Sequence, residues 1–346
     1  MPRKMTSNRA QMSASGGRWS VVATVREPAA LLLAFAAHHL DLGALHVHLY
    51  LDGPHPDLEA AIGADPRVTL ITCDDAFYSS IGRRRPGWIN RRQIVNANHA
   101  ETLSDADWLF HLDADEFLTA DPAEELAALP PEISAYWVQN GERVYLEGAP
   151  LETIFDGALA LPMTDPGRLA RVRGPDMGHL TRHGLLAHAL GKGALRVGGG
   201  IGAGIHRPRC DTDVTHAADT VRISHFDGLT RLHWALKLQR HAENGVLPKP
   251  GRRHSSYRDQ QIALAVESGG DLAPVVALHD RLRVIPPLMA RKMSRIHRLK
   301  PTGVDASASL TRIFPGVSAD LSVEAFDAAL LVERADREGH AALLKA

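Results

Sequence analysis

Cysteine is nearly absent: only Cys73 and Cys210 occur among 346 residues, and they stand in unrelated segments. A small disulfide-stapled scaffold is thereby excluded, and such sparse thiols fit a reducing compartment, so the expected location is cytoplasmic. A membrane-spanning run is also lacking. The closest stretch, Pro28 to Leu45, is broken by His38, His39 and Asp41, well short of the roughly 18 continuous apolar residues of a span. Residues 1–18 are polar and Ser-rich, without the apolar centre and cleavage site of a secretory signal, and read as a disordered tail. Charge of one sign is missing too: the formal net charge is -1, so bulk electrostatics gives no reason to expect a nucleic-acid partner. What is plentiful is apolar surface. With 45% hydrophobic residues, the chain can bury one large core, or a core plus a satellite.

The first third alternates short apolar strands with helices, the pattern of a largely parallel sheet covered on both faces. Strands are expected at Ser20 to Val25, Leu45 to Leu51, Val68 to Cys73 and Trp108 to Leu112, and helices from Pro28 to Gly43, near Leu58 to Ile62 and near Arg91 to Leu103. Ligands of open α/β sheets gather beyond the carboxyl ends of strands, so Thr24 to Glu27, Asp52 and Asp113 to Glu116 are expected to converge on one crevice. Later the pattern becomes irregular. It suggests strands at Ala135 to Val138, Gly193 to Val197 and Thr220 to Ser224, and helices at Thr230 to Glu243 and Ser256 to Glu267. Pro248, Pro250 and Gly251 mark a loop between those helices.

The run Trp108-Leu109-Phe110-His111-Leu112-Asp113-Ala114-Asp115-Glu116-Phe117-Leu118 sends an apolar strand into a turn of carboxylates. Such groups repel by ~1 kcal/mol in bulk water and by several times that near a protein surface, which a divalent cation relieves. Hard oxygen donors favour magnesium or manganese, ions that also bridge diphosphate oxygens. The implied chemistry is displacement at a carbon bearing a diphosphate. The other reading is a helix cap or a solvated turn.

This run, preceded by the segment from Val25 to Asp52, resembles the family 2 glycosyltransferases over residues 19–240. The resemblance implies a GT-A-type, Rossmann-like mixed sheet, mostly parallel and flanked by helices. It assigns 19–245 to a catalytic domain and 246–346 to an irregular, helical C-terminal extension. Carried over by position, Arg26 and Glu27 border the nucleobase or ribose, Asp52 accepts a hydrogen bond from either, and Arg92 reaches the nucleotide or sugar. Arg26 stands where the family usually shows Asn. Asp113 lies near ribose and metal, Asp115 is the direct metal ligand, and Glu116 orients acceptor or water. Further on, Lys192 and His206 match a segment in which a basic residue precedes a strand and a histidine follows a turn. His225, in Val221-Arg222-Ile223-Ser224-His225-Phe226-Asp227-Gly228, matches a histidine that completes the metal site. The implied partners are a UDP- or GDP-linked sugar and a glycan or lipid-linked acceptor, with inversion at the anomeric carbon.

Inverting transfer needs a general base, and Asp156, Asp176, Asp211 and His206 are all candidates. Basic patches at Arg83-Arg84-Arg85 and Arg252-Arg253-His254 read as solvated faces, and Arg83 to Trp88, with Gly82 and Pro86, also reads as a mobile loop beside the nucleotide diphosphate. A third, through Arg291, Lys292, Arg295, Arg298 and Lys300 with Leu288, Met289, Met293, Ile296 and Leu299 interleaved, suits peripheral contact with an anionic inner-membrane surface. Two rival functions stay open. One is a phosphotransferase, which places its Asp-x-Asp pair on the first strand. The other is a non-catalytic nucleotide- or glycan-binding module.

Overall fold

A computed structural model of the chain describes residues 17–243, 256–269 and 271–338. The expected tail up to residue 16, the loop at Pro248, Pro250 and Gly251, the patch Arg252-Arg253-His254 and the boundary at 245/246 lie outside the described residues.

The alternation expected for the first third is present: β1 (Trp19–Val25), α1 (Ala29–Leu42), β2 (Val47–Leu51), α2 (Pro56–Ile62), β3 (Val68–Thr72), α3 (Asp75–Ser80), α4 (Ile89–Leu103) and β4 (Trp108–His111). Gly43 ends α1 at φ 119°, in the left-handed region that glycine enters without a Cβ penalty. The short helix α3 was not expected; Asp74 starts it by accepting a hydrogen bond from the Phe77 amide. Then follow β5 (Glu116–Leu118), α5 (Ala123–Ala127), β6 (Ala135–Val138), β7 (Asn140–Leu146), β8 (Ala158–Ala160), α6 (Pro166–Arg173), α7 (Met177–Leu180), β9 (Lys192–Arg196), β10 (Thr215–Ala217) and β11 (Ile223–His225). The last part holds α8 (Arg231–Glu243), α9 (Tyr257–Glu267), α10 (Ala273–Arg283), β12 (Val284–Ile285), α11 (Pro287–Arg295), β13 (Leu299–Pro301), α12 (Ala306–Ile313) and α13 (Val323–Glu338).

Seven strands form one sheet in the order β10-β6-β9-β4-β1-β2-β3. β1 runs parallel to β2 and β4, β2 to β3, and β6 to β10, while β9 is antiparallel to both neighbours. The architecture is α/β, a mixed and mostly parallel sheet flanked by helices. Period-two alternation explains the layering: Val21, Ala23 and Val25 point into the cluster with Leu32 and Phe35 of α1, whereas Val22 points into the one with Tyr78, Ala97 and Ala100 of α3 and α4.

A second sheet has the order β13-β8-β7-β11-β5, with β12 beside β7. Residues beyond 246 thus supply strands as well as helices, and Ile262, Val275, Ile285 and Met293 share a buried cluster with Val144 and Trp234. Leu310 of α12, Phe314 just after it and Phe326 of α13 join the α1 cluster. The apolar residues interleaved in the basic segment 288–300 face mostly inward. Met293 is buried and Met289, Ile296 and Leu299 pack against the core, which leaves Leu288 at 58% exposure as the apolar side chain still facing out. Among the described residues no helix is long and apolar enough to cross a membrane.

Phe117 of β5 is fully buried and its ring meets those of Phe35, His38, His39, Phe155 and Phe226. Phe117→Ala is expected to lower the unfolding free energy by about 3–5 kcal/mol, measured by urea denaturation.

Candidate functional site

One helix ties together the carboxyl ends of three parallel strands. On α4, Arg92 donates to Asp52 Oδ2 at 2.9 Å, Gln93 donates to Asp113 Oδ1 at 2.8 Å, and Asn96 donates to Thr24 Oγ1 at 3.0 Å. These reach the end of β2, the turn after β4 and the end of β1. The expected convergence of Thr24, Asp52 and Asp113 thus rests on side chains less than two helical turns apart. Arg85 completes a second grip on Asp52, donating to Oδ1 at 2.7 Å, so both oxygens of this buried carboxylate already hold guanidiniums. Beyond β1, the Glu27 carboxylate accepts from the Arg26 amide at 2.8 Å, and its charge acts on His55 in the loop after β2.

The acidic run is neutralised from within. Lys192 Nζ lies 2.7 Å from Asp113 and 3.2 Å from Glu116. Lys237 Nζ, from α8, lies 2.7 Å from Asp115 and 2.9 Å from Asp227. Burial disfavours each carboxylate's charged form, yet the ammoniums outweigh it: Lys192 holds Asp113 and Glu116, and Lys237 holds Asp115 and Asp227, below the ordinary carboxylate range. Both lysines are correspondingly raised, against their own burial. Asp227 also meets Arg258 and Arg283, each at 3.4 Å. The Asp113 side chain is 33% exposed and forms the open edge of the cluster.

Strand register supplies the remaining groups. His225 of β11 stands opposite Glu116 of β5 and beside Glu142 of β7, so the three form one row across the second sheet. Burial works against the charged imidazole of His225, but Asp115, Glu142 and Glu116 prevail and raise its pKa to about 9. Glu142 accepts the amides of Leu186, Ala187 and His188, and Asn140 holds the His188 carbonyl and the Gly191 amide. This fixes the 186–191 loop so that His188 Nε2 is 3.6 Å from Glu116 Oε1.

Two groups among the described residues have donor atoms within 4.8 Å of one another and could hold a metal ion: Glu116, His188, His225, and Asp115, His225, Asp227. The donor sets fit a divalent ion. They mix carboxylate oxygen with imidazole nitrogen, and Glu116 Oε1 and His225 Nδ1 are buried without a hydrogen-bond partner.

Of the four candidate bases, His206 sits beside this cluster. Its ring centroid is 4.5 Å from that of His188, and burial, with His188 and Lys192 adding to it, pushes its pKa down to about 4. Asp156 is engaged by the amides of Glu152 and Thr153, Asp176 pairs with Arg281, and Asp211 is exposed at the start of a turn. Lys192, expected at the nucleotide, directs its ammonium at two carboxylates. Lys237, Asp227, Glu142 and His188 were not assigned from sequence, and Arg85 only as part of the loop from Arg83 to Trp88. Asp227 stood two places from His225 and could have been found; Lys237 carries nothing to set it apart from other basic residues of its helix.

No protein-family model matches the chain, and no curated protein matches it. Several solved structures do. The galactosyltransferase LgtC, solved with donor and acceptor sugar analogs, aligns at 15% identity over 34% of this chain and 46% of its own, with a TM-score of 0.24. The alignment thus spans less than half the length of that enzyme. Glucosyl-3-phosphoglycerate synthase from Mycobacterium tuberculosis, solved with Mn2+, uridine diphosphate and glucosyl-3-phosphoglycerate, aligns at 13% identity over 68% of this chain and 82% of its own, TM-score 0.30. S. aureus TarS 1-349 aligns at 8% identity over 93% and 92%, also at 0.30. At these scores the likenesses carry no argument about the reaction.

Lys192→Met strips the counter-charge from buried Glu116 and half-open Asp113. The expected loss is roughly 3 kcal/mol, the low end for a broken buried pair because Asp113 is partly solvated. Depressed carboxylate pKa values contribute stability above the unfolded value near 4 and lose it as pH falls through the folded values. The deficit of Lys192→Met, read by urea denaturation, should therefore shrink below about pH 4.

Proposed function

We propose that this chain is a GT-A-type glycosyltransferase, moving a sugar from a nucleoside-diphosphate donor to an acceptor hydroxyl in the crevice at the ends of β1, β2 and β4. The observation that carries the reading is the tie made by α4, which gathers Thr24, Asp52 and Asp113 at the carboxyl edge of a parallel sheet beside an acidic turn. Arg26, Glu27 and Asp52 serve the nucleoside, with Arg85 and Arg92 setting the Asp52 carboxylate. Lys192 orients Asp113 on the sugar side. Asp115 and His225 would hold a manganese or magnesium ion, with Asp227 and Asp113 as further donors. When bound, the ion offsets the charge of the departing diphosphate.

His206 takes the acceptor proton. The acceptor oxygen bonds to the anomeric carbon as the carbon–diphosphate bond breaks, the diphosphate leaving with the electron pair and the configuration inverting. With its pKa pushed down to about 4, His206 is unprotonated at neutral pH and comparable in basicity to a carboxylate. The donor is a UDP- or GDP-sugar and the acceptor a glycan or lipid-linked hydroxyl, in a reducing cytoplasm. The phosphotransferase rival fares worse, because its acidic pair belongs on the first strand and here follows β4.

A thermal-shift screen of UDP, GDP and their sugar conjugates with Mn2+ tests the reading. One nucleotide should stabilise the chain by about 2.7 kcal/mol at a hundredfold excess over its Kd. Stabilisation without sugar transfer or donor hydrolysis would favour the binding module; no stabilisation, with turnover of a generic phosphate ester, would favour the phosphotransferase. A second check is the pH profile. kcat/KM should stay flat from about pH 8 to about pH 5 and fall toward the His206 pKa near 4, while His206→Gln lowers kcat about 10²–10⁴-fold and spares donor KM.

A further inference from the structure

We infer that Lys237 is the resident cation of the Asp115–His225–Asp227 group, and that a divalent ion enters there only by displacing its ammonium. The inference rests on the glycosyltransferase reading for the reason an ion comes at all. Its structural basis is independent of that reading.

Lys237 Nζ sits within hydrogen-bond reach of one oxygen of Asp115 and one of Asp227, at 2.7 and 2.9 Å. These two carboxylates are also the oxygen donors of a metal-capable group. Ammonium and ion compete for the same two carboxylates, and holding both would set like charges side by side in a buried site. Charge balance points the same way. The two carboxylates of this group, Asp115 and Asp227, already face three cations, Lys237, Arg258 and Arg283. Carboxylates compensated in this way draw a free divalent ion weakly. An arriving diphosphate changes that, since it attracts both the ion and the expelled ammonium.

The two bridging lysines differ in freedom. Lys192 is fully enclosed, whereas the Lys237 side chain is 21% exposed. A four-carbon stem with an outward path lets the head group leave without unpacking α8.

The test is Mn2+ titration of the full chain without nucleotide, followed by the electron paramagnetic resonance of free Mn2+. Wild type should bind at least tenfold more weakly than Lys237→Met, and uridine diphosphate should tighten wild type by at least tenfold. In EDTA, Lys237→Met should melt below wild type and be restored by Mn2+, which leaves the wild-type melting temperature unchanged. Lys237→Met/Asp227→Asn removes a carboxylate along with the ammonium and should lose the gain in Mn2+ affinity. Wild type binding one Mn2+ without nucleotide as tightly as Lys237→Met would overturn the inference, as would a variant with no gain. None of these readouts needs sugar transfer. Mn2+ binding as stated, in a chain that transfers no sugar, would sink the transferase reading and leave the role of Lys237 standing.

Discussion

The fold depends on compensating negative charge in its own interior. Asp115, Glu116, Glu142 and Asp227 are buried, and Asp113 is two-thirds covered. Two unit charges 4 Å apart interact by about 4 kcal/mol at the effective dielectric of a protein surface. Left uncompensated, such a group would cost an amount comparable to the whole stability of a domain, about 5–15 kcal/mol. The compensating groups come from far along the chain: Lys192 from β9, His225 from β11, Lys237 from α8, Arg258 from α9 and Arg283 from α10. Each pairing therefore joins the seven-stranded sheet, the second sheet or the later helices to one centre. Electrostatics here decides which elements assemble, as well as what the site can do.

Around that centre, backbone geometry is set by polar side chains in the core. His38 and His39, in the second half of α1, both serve β5. His38 Nε2 bonds the Leu118 carbonyl at 2.8 Å, and the Leu118 amide donates to His39 Nε2 at 3.5 Å. Burial lowers both pKa values, which suits neutral rings whose tautomers match a peptide's donor and acceptor. The strand carrying Glu116 is thus anchored from behind while α4 holds Asp113 from the front. A turn held on both sides loses little entropy when a ligand arrives.

Much of this could be read from the sequence where the pattern is local. β1, α1, β2, β3, α4 and β4 follow from apolar periodicity, and the acidic turn follows from its position after a strongly apolar strand. What could not be read is cross-strand. β7 begins Asn140-Gly141-Glu142-Arg143, and no strand was expected there; the polar side chains of Asn140, Glu142 and Arg143 are buried because their partners are loop amides and carbonyls supplied by distant residues. Arg83 to Arg85 read as a solvated face, yet Arg85 grips Asp52; no spacing announces a partner 33 residues away. Lys237 was hidden for the same reason. A basic residue on a helix looks solvated until register and crossing angle show what it faces.

The chain also divides its cations by chemistry. Where a pairing is permanent, it uses arginine: Arg143 binds the carbonyls of Ile154, Gly228 and Leu229, Arg173 those of Gly184 and Leu282, and Arg283 those of Arg143 and Asp227. Asp52 is likewise clasped by two guanidiniums. A planar fork with several fixed donors satisfies many acceptors at once and resists removal. On the acidic turn itself the ammoniums are those of lysines, compact charges that make few directional bonds, with Lys192 enclosed and Lys237 partly exposed. Arginine thus serves where several carbonyls must be satisfied at once, and lysine where one point charge bridges two carboxylates.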